Sequence, residues 1–128
     1  KIIFKVPKRA TIKSKERAFN EWYRKELKRA LSNLIGPIEQ NIGISANEYR
    51  IKNMKTKWGT CNIEKRRIWI NLQLVKKPIE CLEYIIVHEL IHLIEKNHTN
   101  KFYELVDKFY PKWRDSQIKL EQMPLEYL

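Results

Sequence analysis

Residues 88–98 read HELIHLIEKNH and contain all three histidines of this 128-residue chain. Positions four residues apart on an α-helix lie one turn apart on the same face, so the imidazoles of His88 and His92 can bind one metal ion. Glu89 projects from the same side, where its carboxylate can reach a water molecule at the metal but is poorly placed to be a ligand. The H-E-x-x-H spacing therefore predicts a metal-dependent hydrolase with Glu89 as its catalytic acid and base.

His98 is the third candidate ligand. It cannot reach the metal along a straight helix, but a turn that ends the helix at Asn97, in the left-handed conformation, would bring it back. Three histidines leave a fourth coordination position for water, which is typical of catalytic rather than structural zinc sites. We therefore predict one zinc ion per chain, bound by His88, His92 and His98.

The residues before and within the motif, CLEYIIVHELIHLI (residues 81–94), leave almost no polar face. A helix of this composition is buried, and we predict it over residues 78–96, with Pro78 at its first position. A buried imidazole or carboxylate without a partner costs roughly 1–3 kcal/mol. A metal ion satisfies both imidazoles, whereas the alternative explanation is an internal network of salt bridges.

Other polar residues near the motif are weaker candidates. Tyr84 and Tyr103 are possible donors to an oxyanion, although buried tyrosines more often only satisfy their own hydroxyl groups. Glu95 and Glu104 could replace His98 as a ligand, but their spacing fits less well. Neither tyrosine is identified by the sequence as the donor.

The remaining segments predict an α+β fold with helices around a small sheet. A long N-terminal helix is expected over residues 14–42, capped by Ser14 and kinked or broken at Gly36-Pro37. Short β-branched and aromatic stretches predict three antiparallel strands over residues 49–54, 57–61 and 66–71, with a hairpin connection at residues 62–65. C-terminal helices are expected over residues 100–109, capped by Thr99 or Asn100, and 112–121.

Composition and charge narrow the class of protein. A chain of this length is expected to form a single domain over residues 1–128, and it contains no apolar run long enough to cross a membrane. Its two cysteines, Cys61 and Cys81, are too few for a disulfide framework, which favours a cytoplasmic location. Cys61 is expected to be structural rather than nucleophilic, because no base is adjacent in sequence. The net charge of +11 is concentrated in residues 1–30 and 49–77, each of which carries +8.

Three motifs resemble the YgjP-like metallopeptidases, small zincin-like proteins related in architecture to the SprT-like proteases. They are KTKWGTCN (residues 55–62), IWINLQLVKKP (68–78) and YIIVHELIHLIEKNHTNKF (84–102). FKVPKRATI (4–12) is also similar to the end of that family's N-terminal β region, so residues 1–13 are expected to be the remainder of such a region. The resemblance implies a zincin-like fold, the same three histidine ligands, Glu89 as acid and base, and a strand at residues 58–61 lying over the active-site helix. An edge strand there could pair with an extended substrate peptide.

Three functions remain open at this point. The first is a zinc peptidase acting on peptides or proteins. The second keeps the zinc but hydrolyses nucleotides or phosphoesters that the basic segments position near the metal. The third is a basic protein that binds nucleic acid, with Trp22, Trp58 or Trp69 stacking on bases. The oligomeric state is left open.

Overall fold

The computed structural model describes residues 11–122, except for the side chains of residues 11 and 12. Within this range the elements are α1 (Thr11–Ile42), β1 (Glu48–Lys52), β2 (Gly59–Asn62), β3 (Arg67–Asn71), a 3-10 helix (Leu72–Lys76), α2 (Ile79–Ile91), α3 (Asn100–Phe109) and α4 (Trp113–Glu121). This order confirms the predicted α+β class. Residues 1–10 of the expected N-terminal β region lie outside the described residues, and residues 11–13 belong to α1. The single domain over the whole chain stays a prediction.

The long N-terminal helix is confirmed, but two details of it were wrong. Helix α1 begins at Thr11, so Ser14 is inside the helix rather than its cap, and the helix continues through Pro37 to Ile42. A proline in a helix removes one backbone hydrogen bond. The turns on both sides of Pro37 nevertheless pack Leu34, Ile35, Ile38 and Ile42 against the core, which compensates for that loss.

The three strands form a mixed sheet, which corrects the prediction of an antiparallel one. The strand order is β1-β3-β2, with β1 parallel to β3 and β2 antiparallel to it. The predicted β2–β3 hairpin is present, with its connection at residues 63–66 rather than 62–65. Alternation of side chains predicts which residues share a face, but it does not indicate which strands pair or in which direction, because both directions have the same period of two.

The connection between β1 and β2 (residues 53–58) crosses the end of β3 because Asn71 holds it there. The fully buried amide of Asn71 donates to the carbonyl oxygens of Met54 and Lys57, at 2.9 and 2.7 Å. Its side-chain oxygen accepts from the backbone N–H groups of Met54 (3.3 Å) and Gln73 (3.0 Å). One side chain therefore fixes both the connection and the start of the 3-10 helix.

We expect Asn71→Ala to lower the free energy of unfolding by about 3 kcal/mol, since it leaves several buried backbone groups without partners. Urea denaturation measures this change. Asn53→Ala is the matched control in the same connection, because Asn53 accepts a single exposed hydrogen bond from Gln73 (2.8 Å). Equal losses in the two variants would show that Asn71 does not hold the connection.

Helix α2 is the centre of the molecule, as its apolar sequence predicted. Nine of its thirteen residues are buried: Cys81, Leu82, Tyr84, Ile85, Ile86, Val87, Glu89, Leu90 and Ile91. It packs under the sheet and against α1, α3 and α4. The polar groups of the motif are thus presented from a rigid, enclosed element.

The end of α2 differs from the prediction. The helix stops at Ile91, five residues earlier than expected, and His92 is its C-cap in the right-handed conformation. The next turn is tightened by backbone bonds from Leu93 to Leu90 and from Ile94 to Ile91. Asn97 is not left-handed, since Arg66 is the non-glycine residue with positive φ in the described part of the chain. Tightened turns therefore redirect the chain here, without a left-handed residue.

Helix α3 begins as predicted, with the Thr99 hydroxyl accepting from the backbone N–H of Phe102 at 3.3 Å. It places residue 98 directly before a fixed helix start. Between residues 11 and 122, none of the helices has the length and apolar character needed to span a bilayer.

Candidate metal centre

The three histidines converge at the junction of α2 and α3. His88 lies on α2, His92 caps it, and His98 follows the tightened turn. Each offers a ring nitrogen, and these three atoms lie within 4.8 Å of one another. The Nε2 atoms of His88 and His98 are 3.2 Å apart. Two nitrogens bound tetrahedrally to one zinc lie roughly 3.3 Å apart, so the His88–His98 pair has the spacing of two ligands of one metal ion.

Hydrogen bonds orient two of the rings. The Nδ1 atom of His92 is 2.9 Å from the carbonyl oxygen of Lys96, so it carries the proton and leaves Nε2 as the free lone pair. Nδ1 of His88 is 3.5 Å from the Tyr84 hydroxyl, a longer contact on the side away from His98. The Nε2 atom of His88 faces His98, and the lone pair on Nε2 of His92 is free to bind a metal.

Phe102 is the positioning residue that the sequence analysis missed. It is fully buried, and its ring centroid lies 4.9, 4.6 and 4.9 Å from those of His88, His92 and His98. One aromatic ring therefore packs against all three imidazoles. The only sequence signal was its position four residues after His98, which is weak without knowing that a helix begins between them.

The environment keeps the imidazoles of His88 and His92 neutral. Burial, assisted by His92 and His98, lowers the pKa of His88 to about 3, and burial also lowers the pKa of His92. Only a neutral imidazole can donate its lone pair to a metal, and positively charged rings this close would repel one another. His88 and His92 are therefore in the form that binds a metal at neutral pH.

Glu89 lies beside the cluster and is 5% exposed. Burial raises its pKa to about 8, and the positive charge of Lys57 acts in the opposite direction. The carboxyl group lines two adjoining clefts of about 640 and 400 Å³, both of which also border His88 and Gly59. It is thus buried by the protein but faces the space where a substrate could lie.

Strand β2 crosses over α2 at Gly59, and it is an edge strand of the sheet. A Cβ atom at Gly59 would lie 2.8 Å from Cγ2 of Ile85 and 3.2 Å from Oε2 of Glu89. Only glycine permits so close an approach of strand to helix. The placement of residues 58–61 over the motif helix, which the resemblance implied, is therefore observed.

We expect Gly59→Ala to lower the free energy of unfolding by about 1–3 kcal/mol, because the added methyl group must displace Ile85 or Glu89. Urea denaturation measures this loss. Thr60→Ala is the control on the same strand, since Thr60 points to the other side of the sheet; it should change stability by less than about 1 kcal/mol. A Gly59→Ala protein as stable as the parent would mean that β2 can move away from α2.

The other candidates are not brought into the cluster. Neither Glu95 nor Glu104 belongs to the group of converging ligand atoms in the described part of the chain. Tyr103 is 38% exposed and its ring is 6.2 Å from that of His98, while Tyr84 is buried with its hydroxyl directed at His88. An oxyanion donor is thus not identified among them.

Both cysteines are free thiols. Burial raises the pKa of Cys61 to about 11 and also raises that of Cys81. A thiol with a raised pKa is a poor nucleophile, so neither cysteine is suited to covalent catalysis. The predicted cytoplasmic location stays a prediction.

Comparisons with known proteins match the chain to one family and to two similar folds. The family described as "YgjP-like, metallopeptidase domain" matches residues 1–123. The fold is similar to that of the metallopeptidase zymogen abylysin of Pyrococcus abyssi (TM-score 0.65, 20% identity), with 72% of this chain and 92% of that chain covered. It is also similar to the metallopeptidase zymogen jannalysin of Methanocaldococcus jannaschii (TM-score 0.62, 26% identity), with 72% and 94% covered. No curated protein matches.

Proposed function

The chain belongs to the YgjP-like metallopeptidase family, and we propose on that premise that it is a zinc-dependent peptidase with Glu89 as its general base. The zincin-like fold of its structural neighbours is the expected scaffold. The observation that carries the proposal is the convergence of three imidazoles beside a buried carboxyl group, beneath an open strand edge.

In this proposal His88, His92 and His98 hold the zinc ion. When bound, zinc lowers the pKa of a coordinated water molecule and polarises the carbonyl group of the scissile peptide. Imidazole donors with a free fourth position favour zinc over calcium or magnesium, which prefer oxygen ligands.

Glu89 has two tasks in the reaction. Its carboxylate accepts a proton from water, and the resulting acid donates that proton to the nitrogen of the leaving amine. Because Glu89 is buried against Gly59, its side chain has little freedom and is held at one place beside the cluster. The positive charge of Lys57 favours the ionised carboxylate that accepts the proton, and a zinc ion held by the three histidines would act in the same direction.

The outer edge of β2 is the proposed binding site for the substrate backbone. An extended peptide can add to a free strand edge by main-chain hydrogen bonds, which are independent of its sequence. The two clefts on either side of Glu89 would then receive side chains from each side of the scissile bond. Peptides and unfolded proteins are therefore the expected substrates.

Parallel assays on the zinc-loaded full chain test this proposal. Cleavage of casein is followed by gel electrophoresis, and nucleoside triphosphates are followed by phosphate release. We expect peptide cleavage that a chelator abolishes, without release of phosphate. Chelator-sensitive phosphate release without any peptide cleavage would support the phosphoester hydrolase instead.

A further inference from the structure

The face of the sheet that points away from α2 carries a second cluster of functional groups. Its centre is Trp69 on β3, whose cross-strand neighbours are Arg50 on β1 and Thr60 on β2. Side chains alternate along a strand, so these residues lie opposite to Gly59, Ile68 and Ile70, which face the core. We call Arg50, Lys52, Thr60 and Trp69 the outer sheet face.

Two cations lie against the aromatic ring at the centre of this face. The guanidinium carbon of Arg50 is 5.5 Å from the Trp69 ring centroid, and the Lys52 ammonium is 4.9 Å from it. Both cations are exposed, while Trp69 is half-buried. Cation–π contacts hold the two flexible side chains at the surface, which lowers the entropy they would lose on binding an anion.

A groove of about 590 Å³ adjoins the face between α1 and β1. Its floor is apolar, formed by Leu31, Ile35, Ile51 and Trp69. Its polar rim contains Arg24, Lys28 and Arg50, and no carboxylate is found among its described lining residues. Arg24 is fixed there by a hydrogen bond of 2.9 Å to the carbonyl oxygen of Ile51. An apolar floor with a cationic rim suits a ligand that combines a flat ring with a phosphate.

The charges of the residues around this face also favour an anionic ligand. Residues 49–77, which include the sheet except for Glu48, carry nine basic side chains and one acidic one. On the face itself, Glu48 is neutralised by ion pairs with Arg50 and Arg67. A polyanion approaching the outer sheet face therefore meets a positive field with little local repulsion.

We propose that the outer sheet face and its groove bind single-stranded nucleic acid. Bases stack on Trp69 or enter the apolar groove, and phosphates contact Arg24, Lys28, Arg50 and Lys52. Trp22, Trp58 and Trp69 were the tryptophans predicted to stack on bases. Of these, Trp69 is the one that lies in a strand of the sheet and contacts two cationic side chains. This binding does not depend on the proposed peptidase, because none of these contact residues belongs to the histidine cluster.

The favoured ligand is a nucleic acid strand rather than an acidic peptide because of the aromatic and apolar component. Carboxylates of a peptide would use the cations but would gain nothing from Trp69 or the groove floor. Duplexes are less suited, since their bases are stacked inside the helix and cannot reach a tryptophan ring. A free mononucleotide fits one groove but makes only part of the phosphate contacts.

Fluorescence anisotropy on the full chain tests the proposal, with a labelled oligodeoxythymidine of about 15 nucleotides as the probe. We expect Trp69→Leu to weaken binding about tenfold, through loss of stacking. The double variant Arg50→Ala/Lys52→Ala should reduce the slope of log K against log salt by about 1.4, because each phosphate that a cation neutralises contributes roughly 0.7 to that slope. Lys101→Ala/Lys112→Ala is the control, because it removes the same charge from exposed positions outside the sheet.

Each alternative outcome is distinguishable. Equal weakening by the control pair would mean general attraction to a basic protein and would overturn the proposal. Equally tight binding of a poly-glutamate peptide of about the same length would make the face a site for acidic peptides. If Trp69→Leu bound the strand as tightly as the parent, with its fold verified by circular dichroism, bases would not contact Trp69 and the proposal would be overturned. A thymidine mononucleotide that binds as tightly as the strand would reduce the site to a nucleotide pocket.

Discussion

Replacement of Glu89 by glutamine is expected to reduce kcat for peptide cleavage by about 10²–10⁴-fold while leaving zinc binding intact. The amide has the size and shape of the carboxyl group but cannot accept a proton from water or pass one to the leaving amine. Because Glu89 is not one of the three converging ligands, the metal should remain bound. The measurement is kcat on a cleavable peptide, beside zinc content per chain by elemental analysis.

Stability provides the control for Glu89→Gln. Glu89 is 5% exposed, and a neutral amide spares that environment the cost of burying a charge. The variant should therefore unfold at the same temperature as the parent or higher, so lost activity could not be attributed to unfolding. Gln117→Ala, which changes an exposed residue of the larger cleft, should keep most of the activity. Full activity of Glu89→Gln would exclude Glu89 as the base.

The second large effect is expected for His98→Ala. His98 is exposed, so its removal should hardly change the stability of the metal-free protein. Zinc at about 100 times its dissociation constant stabilises the parent by about 2.7 kcal/mol, a rise in Tm on the order of 10 °C. With two of three imidazoles left, that rise should largely disappear at the same zinc concentration. Thermal melts with and without zinc measure it.

The exposed neighbour Asn97 supplies the matched control for His98. Asn97→Ala alters the same turn but removes no ligand atom of the cluster. It should keep the full zinc-dependent rise in Tm. If His98→Ala also kept it, two histidines and some other group would hold the metal, and the three-histidine site would be wrong.

The convergence of the histidines could be anticipated from the sequence because it depends on local geometry. His88 and His92 are one helical turn apart, and the interval to His98 permits only a short turn. These relations survive the error at the end of α2, since His92 remains in the right-handed conformation after the helix stops. The near absence of a polar face was likewise enough to predict that α2 is buried.

Two of the features that were missed depend on how separate elements pack together. Parallel pairing of β1 with β3 is set by how residues 53–58 cross the sheet, which the buried amide of Asn71 decides. The support of the three imidazoles by Phe102 depends on the angle at which α3 returns to α2. Neither relation leaves a periodic signal in the sequence, because each joins residues that meet only after the elements have packed.

The short length of β2 affects how fast peptides would dissociate from the proposed peptidase. The strand is four residues long, so a peptide added to its edge gains only a few main-chain hydrogen bonds, each with a net contribution of about 1 kcal/mol. Because so few hydrogen bonds hold the peptide, substrate and product are both expected to dissociate rapidly. An enzyme built this way would exchange many chains rapidly and would not be trapped by its own cleavage products.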